Sequence, residues 1–461
     1  MNKNRIIRFR SLTLTHIKNT EYGIVEMPKK KNNTAEIIGL YGQNGSGKTA
    51  VIDSLYFLQT ILKGDPIPEE FIHYINANEK EASMQLEVDI EVENIKFEVG
   101  YYIIFSKTDG NKVQIKKETL LASKETAGRK TKKLPFMEYE SDAEDKIFTP
   151  KRRFDEAIAS NKKNRTNLMV AKRMAELNHY SYIFGETSCT IFCQDTSAAF
   201  ADYAFIIQSL HHYACMDLFV IRNTHSGAIS ADLLLPMAFK IEDKHATTKG
   251  DFVVSLKEPT IIVEERFAIL KQIIEEINLV LQTIIPGLTL GIYDYGNVLQ
   301  ANGTMGRKVD LVSKRDVIEI PIRYESEGII KIISILNAFI RAYNNPSIFL
   351  AVDELDAGIY EYLLGELLDL FDKGGKGQLL FTSHNLRPLE MLQKDSILFS
   401  TSNKANRYIP MRSVGNTNNL RDVYLRSITL GGQKECIYKE TDSLKIARAL
   451  RKVGRELKDD R

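Results

Sequence analysis

Apolar residues along this chain repeat at two different periods, and the changes of period mark its elements. Residues 5 to 26, as in "IIRFRSLTL", alternate in the manner of a strand that lays one face on a core. A short apolar run, "EIIGLY", then leads into "GQNGSGK" and on to "AVIDSLYFLQTIL", whose Val51, Leu55, Phe57, Leu58 and Leu62 recur at helical spacing. From about residue 82 to 122 the period is two again, and "MQLEVDIEV", "IKFEVGYYIIF" and "KVQIKKETLL" predict an antiparallel sheet. Between 123 and 165 basic clusters ("SKETAGRKTKK", "KRR", "NKKNR") interleave with "EYESDAED", the pattern of solvated loops or helix faces, with nucleic-acid contact as the alternative. Residues 166 to 258 predict helical pieces with irregular joints. After them Val263, Phe267, Leu270, Ile274, Ile277 and Leu281 recur in steps of four and three until Pro286 and Gly287 stop the helix. That stripe suits either the protein's own core or a helix of another subunit.

Composition narrows the class. With 461 residues, 43% hydrophobic and 26% charged, the chain has the make-up of a folded protein of more than one compact unit. Its 62 basic and 60 acidic residues leave a formal charge of +2, so overall charge implies no nucleic-acid partner. Four cysteines make no disulfide framework and the first residues lack the apolar core of a signal peptide, which points to a reducing cytoplasm. The longest apolar run, "IIKIISILNAFI", is too short to cross a membrane and carries Lys331. Cys189, Cys193, His211, His212 and Cys215 have loose spacing and apolar neighbours, which favours buried thiols over a zinc site.

Four stretches carry candidate chemistry. Gly42 to Thr49 satisfy G-x-x-x-x-G-K-[ST]. In such a loop Gly42, Asn44, Gly45, Ser46 and Gly47 let successive backbone N–H groups curl round phosphates, Lys48 reaches the terminal ones, and Thr49 offers its hydroxyl to Mg2+. In "SIFLAVDELDAG" a buried-type run, Ile348 to Val352, delivers Asp353 to a strand end where a carboxylate can hold a metal, with Glu354 next to it able to polarise water. "QLLFTSHN" repeats the pattern and ends in Ser383, His384 and Asn385, where an imidazole can hydrogen-bond a terminal phosphate. Finally, "YESEGIIKIISILNAFIRAY" sets Ser326, Glu327 and Gly328 at the start of a helix, whose unpaired N–H groups favour an anion.

In this order the four stretches resemble the ATP-binding-cassette ATPases, over roughly residues 1–63, the strands to about 120, and 315–400. The resemblance implies an α/β fold: an ATPase head built from a mixed sheet with a phosphate-loop helix and an antiparallel β subdomain. Domains would run 1–122 (first ATPase lobe), 123–314 (mainly helical insertion), 315–400 (second ATPase lobe) and 401–461 (C-terminal α/β tail). It implies ATP and Mg2+ as cofactors, Thr49 and Asp353 on the metal, Glu354 as catalytic base, Asp356 in the D-loop and His384 as the switch histidine. Ser326 and Gly328 would form the signature, reaching the ATP of a second subunit, so that the chain forms a homo-oligomer through ATP-sandwich dimers. Glu325 and Ile329 replace the flanking residues of transporter signatures, and no Q-loop glutamine stands out, Gln85 and Gln114 being the candidates.

The insertion of about 275 residues between the phosphate loop and Ser326 resembles the SMC, RecF and OLD branch. It lacks long coiled-coil arms, and only 77 residues follow His384, too few for an appended TOPRIM domain with its acidic motif. In size and motifs the chain is similar to the stand-alone ATPase subunits of bacterial anti-phage modules, above all PARIS-type systems with a TOPRIM-like nuclease, then Septu with an HNH nuclease. That similarity implies a cytoplasmic ATPase that controls a separate nuclease effector and answers a phage-protein trigger. The alternative is a DNA-repair ATPase of RecF type, binding duplex through lysines such as Lys130, Lys132 and Lys133.

Overall fold

In the computed structural model the described residues are 5–30, 34–108, 110, 112–143, 146–194, 197–222, 234–242, 247–255, 258–299, 303–411, 419–430, 433–438 and 442–459. The antiparallel sheet holds β1 (Arg5–Ile17), β2 (Thr20–Glu26), β4 (Glu81–Val92), β5 (Ile95–Lys107), β6 (Val113–Thr126) and β7 (Arg129–Lys130) in the order β2-β1-β4-β5-β6-β7, with β8 (Leu134–Glu140) also on β6. The sheet therefore continues past residue 122. Its strands alternate between buried and partly exposed residues, as sheets covered on one face do.

A second sheet places β3 (Glu36–Tyr41) at its centre. Its order is β19 (Tyr408–Pro410), β18 (Ile397–Ser400), β3, β17 (Gln378–Thr382), β16 (Phe349–Val352) and β9 (Leu218–Ile221), all parallel except β19. Every residue of β3, β16, β17 and β18 is buried, because the sheet is covered on both faces, by helices on one and by the phosphate-loop helix and the antiparallel sheet on the other, and this is why these strands read as unbroken apolar runs. The parallel strands end together at one edge, where the chemistry-bearing residues collect. A third sheet contains β12 (Thr260–Val263), β13 (Thr289–Leu299), β14 (Met305–Arg315) and β15 (Ile318–Pro321), and β10 (Leu234–Glu242) pairs with β11 (Thr247–Ser255).

The 123–314 stretch holds the helices Lys151–Ile158, Lys163–Asn178, Glu186–Cys193, Ala201–Met216 and Glu264–Ile284, the first four running between β8 and β9 and the last between β12 and β13. Of these, β9 returns the chain to the edge of the parallel sheet, beside β16. The helical reading of 166–258 fails at β9, β10 and β11, which are strands, and another part of it, residues 223–233 among it, lies outside the described residues. Phe267, Leu270, Ile274, Ile277 and Leu281 are buried in the chain's own core, together with the helices Glu327–Asn344 and Glu361–Gly374. Own-core packing thus accounts for the four-three stripe.

A buried polar network joins the two large sheets. Glu36 of β3 receives Arg8 at 3.0 Å and Arg10 at 3.1 Å from β1, and the Gln378 amide of β17 at 2.6 Å. Gln378 also exchanges hydrogen bonds of 2.7 and 2.8 Å with the Phe9 backbone, so it completes the edge of β1 as another strand would.

Candidate phosphate and metal site

The phosphate loop leaves β3 at Tyr41 and enters the helix Lys48–Lys63, a strand-loop-helix path forced by its glycines. Gly45 and Gly47 lie in the left-handed region, at φ 76° and 95°, where a side chain is strained. A Cβ at Gly42 would collide with Ser400 at the end of β18. Ser400 also pairs its hydroxyl with that of Ser46, and so pins the loop to its neighbouring strand. Lys48 folds over the loop and donates to the carbonyls of Gly42 at 2.8 Å and Gln43 at 3.2 Å. Burial lowers the pKa of its amine, and Asp353, Glu354 and Asp356 oppose that fall. Asn44, Gly45 and Thr49 are exposed, so the cradle opens to solvent.

Asp353 follows β16 and is 1% exposed. Its Oδ1 accepts a 2.6 Å hydrogen bond from Thr382 Oγ1, while its Oδ2 is buried without a hydrogen-bond partner. A buried carboxylate oxygen left unpaired is costly unless a cation completes it, so Asp353 is suited to hold a divalent cation such as Mg2+. Thr382 Oγ1 also accepts from the backbone N–H of Glu354 at 2.8 Å, and its carbonyl accepts from Leu355 at 3.0 Å. These bonds hold Glu354 at φ 47°, a left-handed conformation rare for glutamate. Asp356 Oδ2 accepts from the backbone N–H groups of His384 at 3.1 Å and Asn385 at 3.0 Å, tying the two loops together. Partial burial and then the charge of Lys48 lower the His384 pKa against the pull of Asp356, Glu354 and Asp353, which favours the neutral imidazole. One cluster thus brings together Lys48, Asp353, Glu354, Asp356 and His384.

Ser326 caps the helix Glu327–Asn344, its hydroxyl accepting from the Ile329 N–H at 3.4 Å. Ser326 and Glu327 are exposed, and Gly328 packs against Gly358 of the turn after β16 so closely that a Cβ would overlap the Gly358 carbonyl. Glu325, bound by Arg315 and by Ser313 at 2.6 Å, anchors the approach to this helix. The described contacts of Ser326 and Gly328 are with their own helix and with Gly358, not with the phosphate loop of the same chain.

Several members of the site gave no signal in the sequence reading. Thr382 and Ser400 end buried strands, where a hydroxyl reads as incidental. Lys331, noted only as a charge in an apolar run, is 4% exposed, and burial lowers its pKa against the pull of Asp353, Glu354 and Asp356. A lone lysine on the buried face of a helix was the available clue. Neither glutamine candidate reaches the cluster. Gln85 donates to Glu87 on the antiparallel sheet, and Gln114 lines a separate cavity of about 550 Å³ with Lys172 and Arg173. Cys189 and Cys193 face each other at 3.8 Å and Cys215 lies 4.0 Å from His211, and no group of three His, Cys, Asp or Glu placed to hold a metal occurs among the described residues. No helix among them is long and apolar enough to cross a membrane.

No protein-family model and no curated protein matches the chain. Among solved structures it is similar to the SmcHead bound to the C-winged helix domain of ScpA, with 10% identity over 88% of this chain and 97% of that one and a TM-score of 0.37. It is also similar to the SMC head domain from Thermotoga maritima, with 12% identity, 88% and 100% coverage and a TM-score of 0.35. The recombination mediator protein RecF with ATP, from the RecFOR pathway, aligns at 10% identity over 88% of this chain and 98% of that one, with a TM-score of 0.37.

Proposed function

We propose that this chain binds and hydrolyses ATP with Mg2+ at the Lys48–Asp353–His384 cluster, and uses the nucleotide to close two copies on each other. The observation that carries this reading is the unpaired, buried Oδ2 of Asp353 beside a glycine-rich loop floored by Lys48. Bound Mg2+ would supply charge neutralisation between the phosphates. Lys48 would exchange two loop carbonyls for phosphate oxygens, and the backbone N–H groups of Gly45 to Thr49 would cradle them. Glu354, fixed in its unusual backbone by Thr382, would orient and deprotonate the attacking water. The neutral His384 imidazole would donate to the terminal phosphate, and Asp356 would hold its loop in place.

The exposed Ser326, with Gly328 behind it, would meet the nucleotide of a second copy. The terminal phosphate would thereby favour the closed pair over the open one. In the finer reading, supported by the sequence resemblance alone, this cycle restrains or releases a separate nuclease effector in anti-phage defence. Glu354→Gln is expected to bind ATP, stop turnover and increase the ATP-dependent dimer, while Lys48→Ala loses nucleotide binding. Turnover by phosphate release and mass by sedimentation velocity test this together. Normal turnover and unchanged mass in Glu354→Gln would remove Glu354 from the proposed role.

A further inference from the structure

The hairpin tip between β1 and β2 lies against the outside of the phosphate loop. Asn19 at this tip donates its side-chain amide to the Gly45 carbonyl. Tyr408, within 3.4 Å of Thr20, donates to the Gly47 carbonyl at 2.7 Å, and Arg407 donates to the Asn19 carbonyl. Because a trans peptide points its N–H away from its C=O, holding the Gly47 carbonyl outward turns the Lys48 N–H into the cradle.

A half-buried ion pair ties the tip to the phosphate-loop helix. Lys18, in the left-handed region at φ 50°, reaches the Asp53 carboxylate, which is 6% exposed. Asp53 lies one helical turn beyond Thr49, on the helix that the loop feeds. Its other oxygen accepts from the Tyr74 hydroxyl at 3.2 Å, and that hydroxyl accepts from Arg222 at 2.9 Å. Arg222 stacks on Tyr56 at 3.8 Å and directly follows β9, where Ile221 accepts the Asp353 N–H at 2.9 Å. A continuous chain of side chains therefore runs from the hairpin tip, through the phosphate-loop helix, to the strand beside the metal carboxylate.

We propose that Lys18, locked by Asp53, is a positioning residue: the pair clips the hairpin tip onto the phosphate loop and fixes the loop in its phosphate-binding form. The inference rests on the nucleotide reading of the site for its consequence, but not for the clip itself. In Lys18→Met the tip loses its tie to the phosphate-loop helix, while Asp53 keeps Tyr74 and Arg222. Two measurements test the clip on the full chain: hydrogen exchange across residues 42–49 without nucleotide, and the affinity for MgATP.

Lys18→Met is expected to exchange these amides faster and to bind MgATP about tenfold more weakly. Lys18→Arg, which keeps the charge, is expected to restore both, a rescue that a packing role alone would not give. Parental exchange in Lys18→Met, or equal losses in the Met and Arg variants, would overturn the clip. If the parent chain itself fails to bind MgATP, the nucleotide reading falls, and the exchange result still decides whether the clip holds the loop.

Discussion

Thr382 shows how one hydroxyl can organise a cluster of acids. It gives its proton to Asp353 and accepts the N–H of Glu354, so Thr382→Val leaves a buried carboxylate oxygen and a backbone donor unsatisfied together. Each such group costs about 1–3 kcal/mol. Because the lost bonds orient Glu354, single-turnover hydrolysis is expected to fall further than ATP affinity does. Equal losses in the two would mean that Thr382 supports binding only. Far from this site, burial pushes the Glu118 carboxyl up to about 7 from its ordinary 4.5, against the hydrogen bond it accepts from the Ile183 N–H. The folded form therefore keeps its proton where the unfolded chain loses it. The stabilisation is complete below pH 4.5, declines as pH rises, and is lost above about pH 7. Melting temperature across this window, compared with Glu118→Gln, should show a decline in the parent that the variant lacks. A parallel pair of curves would place the titration elsewhere. The Gly42–Thr49 pattern was legible because its chemistry is local, whereas Thr382 and Glu118 acquire meaning from neighbours distant in sequence.

At the scale of elements, the start of the helix Glu327–Asn344 and the turn after β16 act as one unit, because Gly328 and Gly358 touch through their backbones. Gly328→Ala would force them apart, at a cost of about 1–3 kcal/mol. It is expected to leave MgATP binding intact and to abolish the ATP-dependent dimer of Glu354→Gln. A dimer of undiminished strength in the double variant would show that this face is not used. The union of the two large sheets depends on Gln378 and Glu36. Gln378→Leu strips the Phe9 backbone and one oxygen of Glu36 of their partners, so it should lower unfolding stability by several kcal/mol in a denaturant titration. β1, β4, β5 and β6 were readable from their period and β3, β16 and β17 from unbroken apolar runs, whereas β7 and β8 lie in a stretch that read as charged loops or helix faces and β18 and β19 are too short to stand out. β9 was not, since four apolar residues next to a helix carry no period of their own.

For the whole molecule the question is which surface meets a partner. Lys130 pairs with Glu98 at 2.6 Å and Lys133 pairs with Glu87, so two of the three lysines considered for duplex binding already hold carboxylates of the antiparallel sheet. Under the proposed reading duplex DNA leaves ATP turnover unchanged at low and high salt. Stimulation that falls steeply with salt would instead favour the repair ATPase, since neutralised phosphates release counterions. The residues proposed to cross to a second copy, Ser326 and Gly328, lie at a helix start, and among the described contacts they make none with the phosphate loop of their own chain.

The sequence by itself determined the phosphate loop, the order of the acidic, histidine and helix-start stretches, and the period of most strands, because these depend on neighbours a few residues apart. Only the tertiary structure decided that Thr382 serves Asp353, that Lys331 faces the same acids, that the four-three stripe is internal, and that Lys18 and Arg222 meet through Asp53 and Tyr74. Those partners are brought together by the parallel register of β9, β16, β17 and β3 and by the packing of the β1–β2 tip on the loop, which no spacing along the chain encodes.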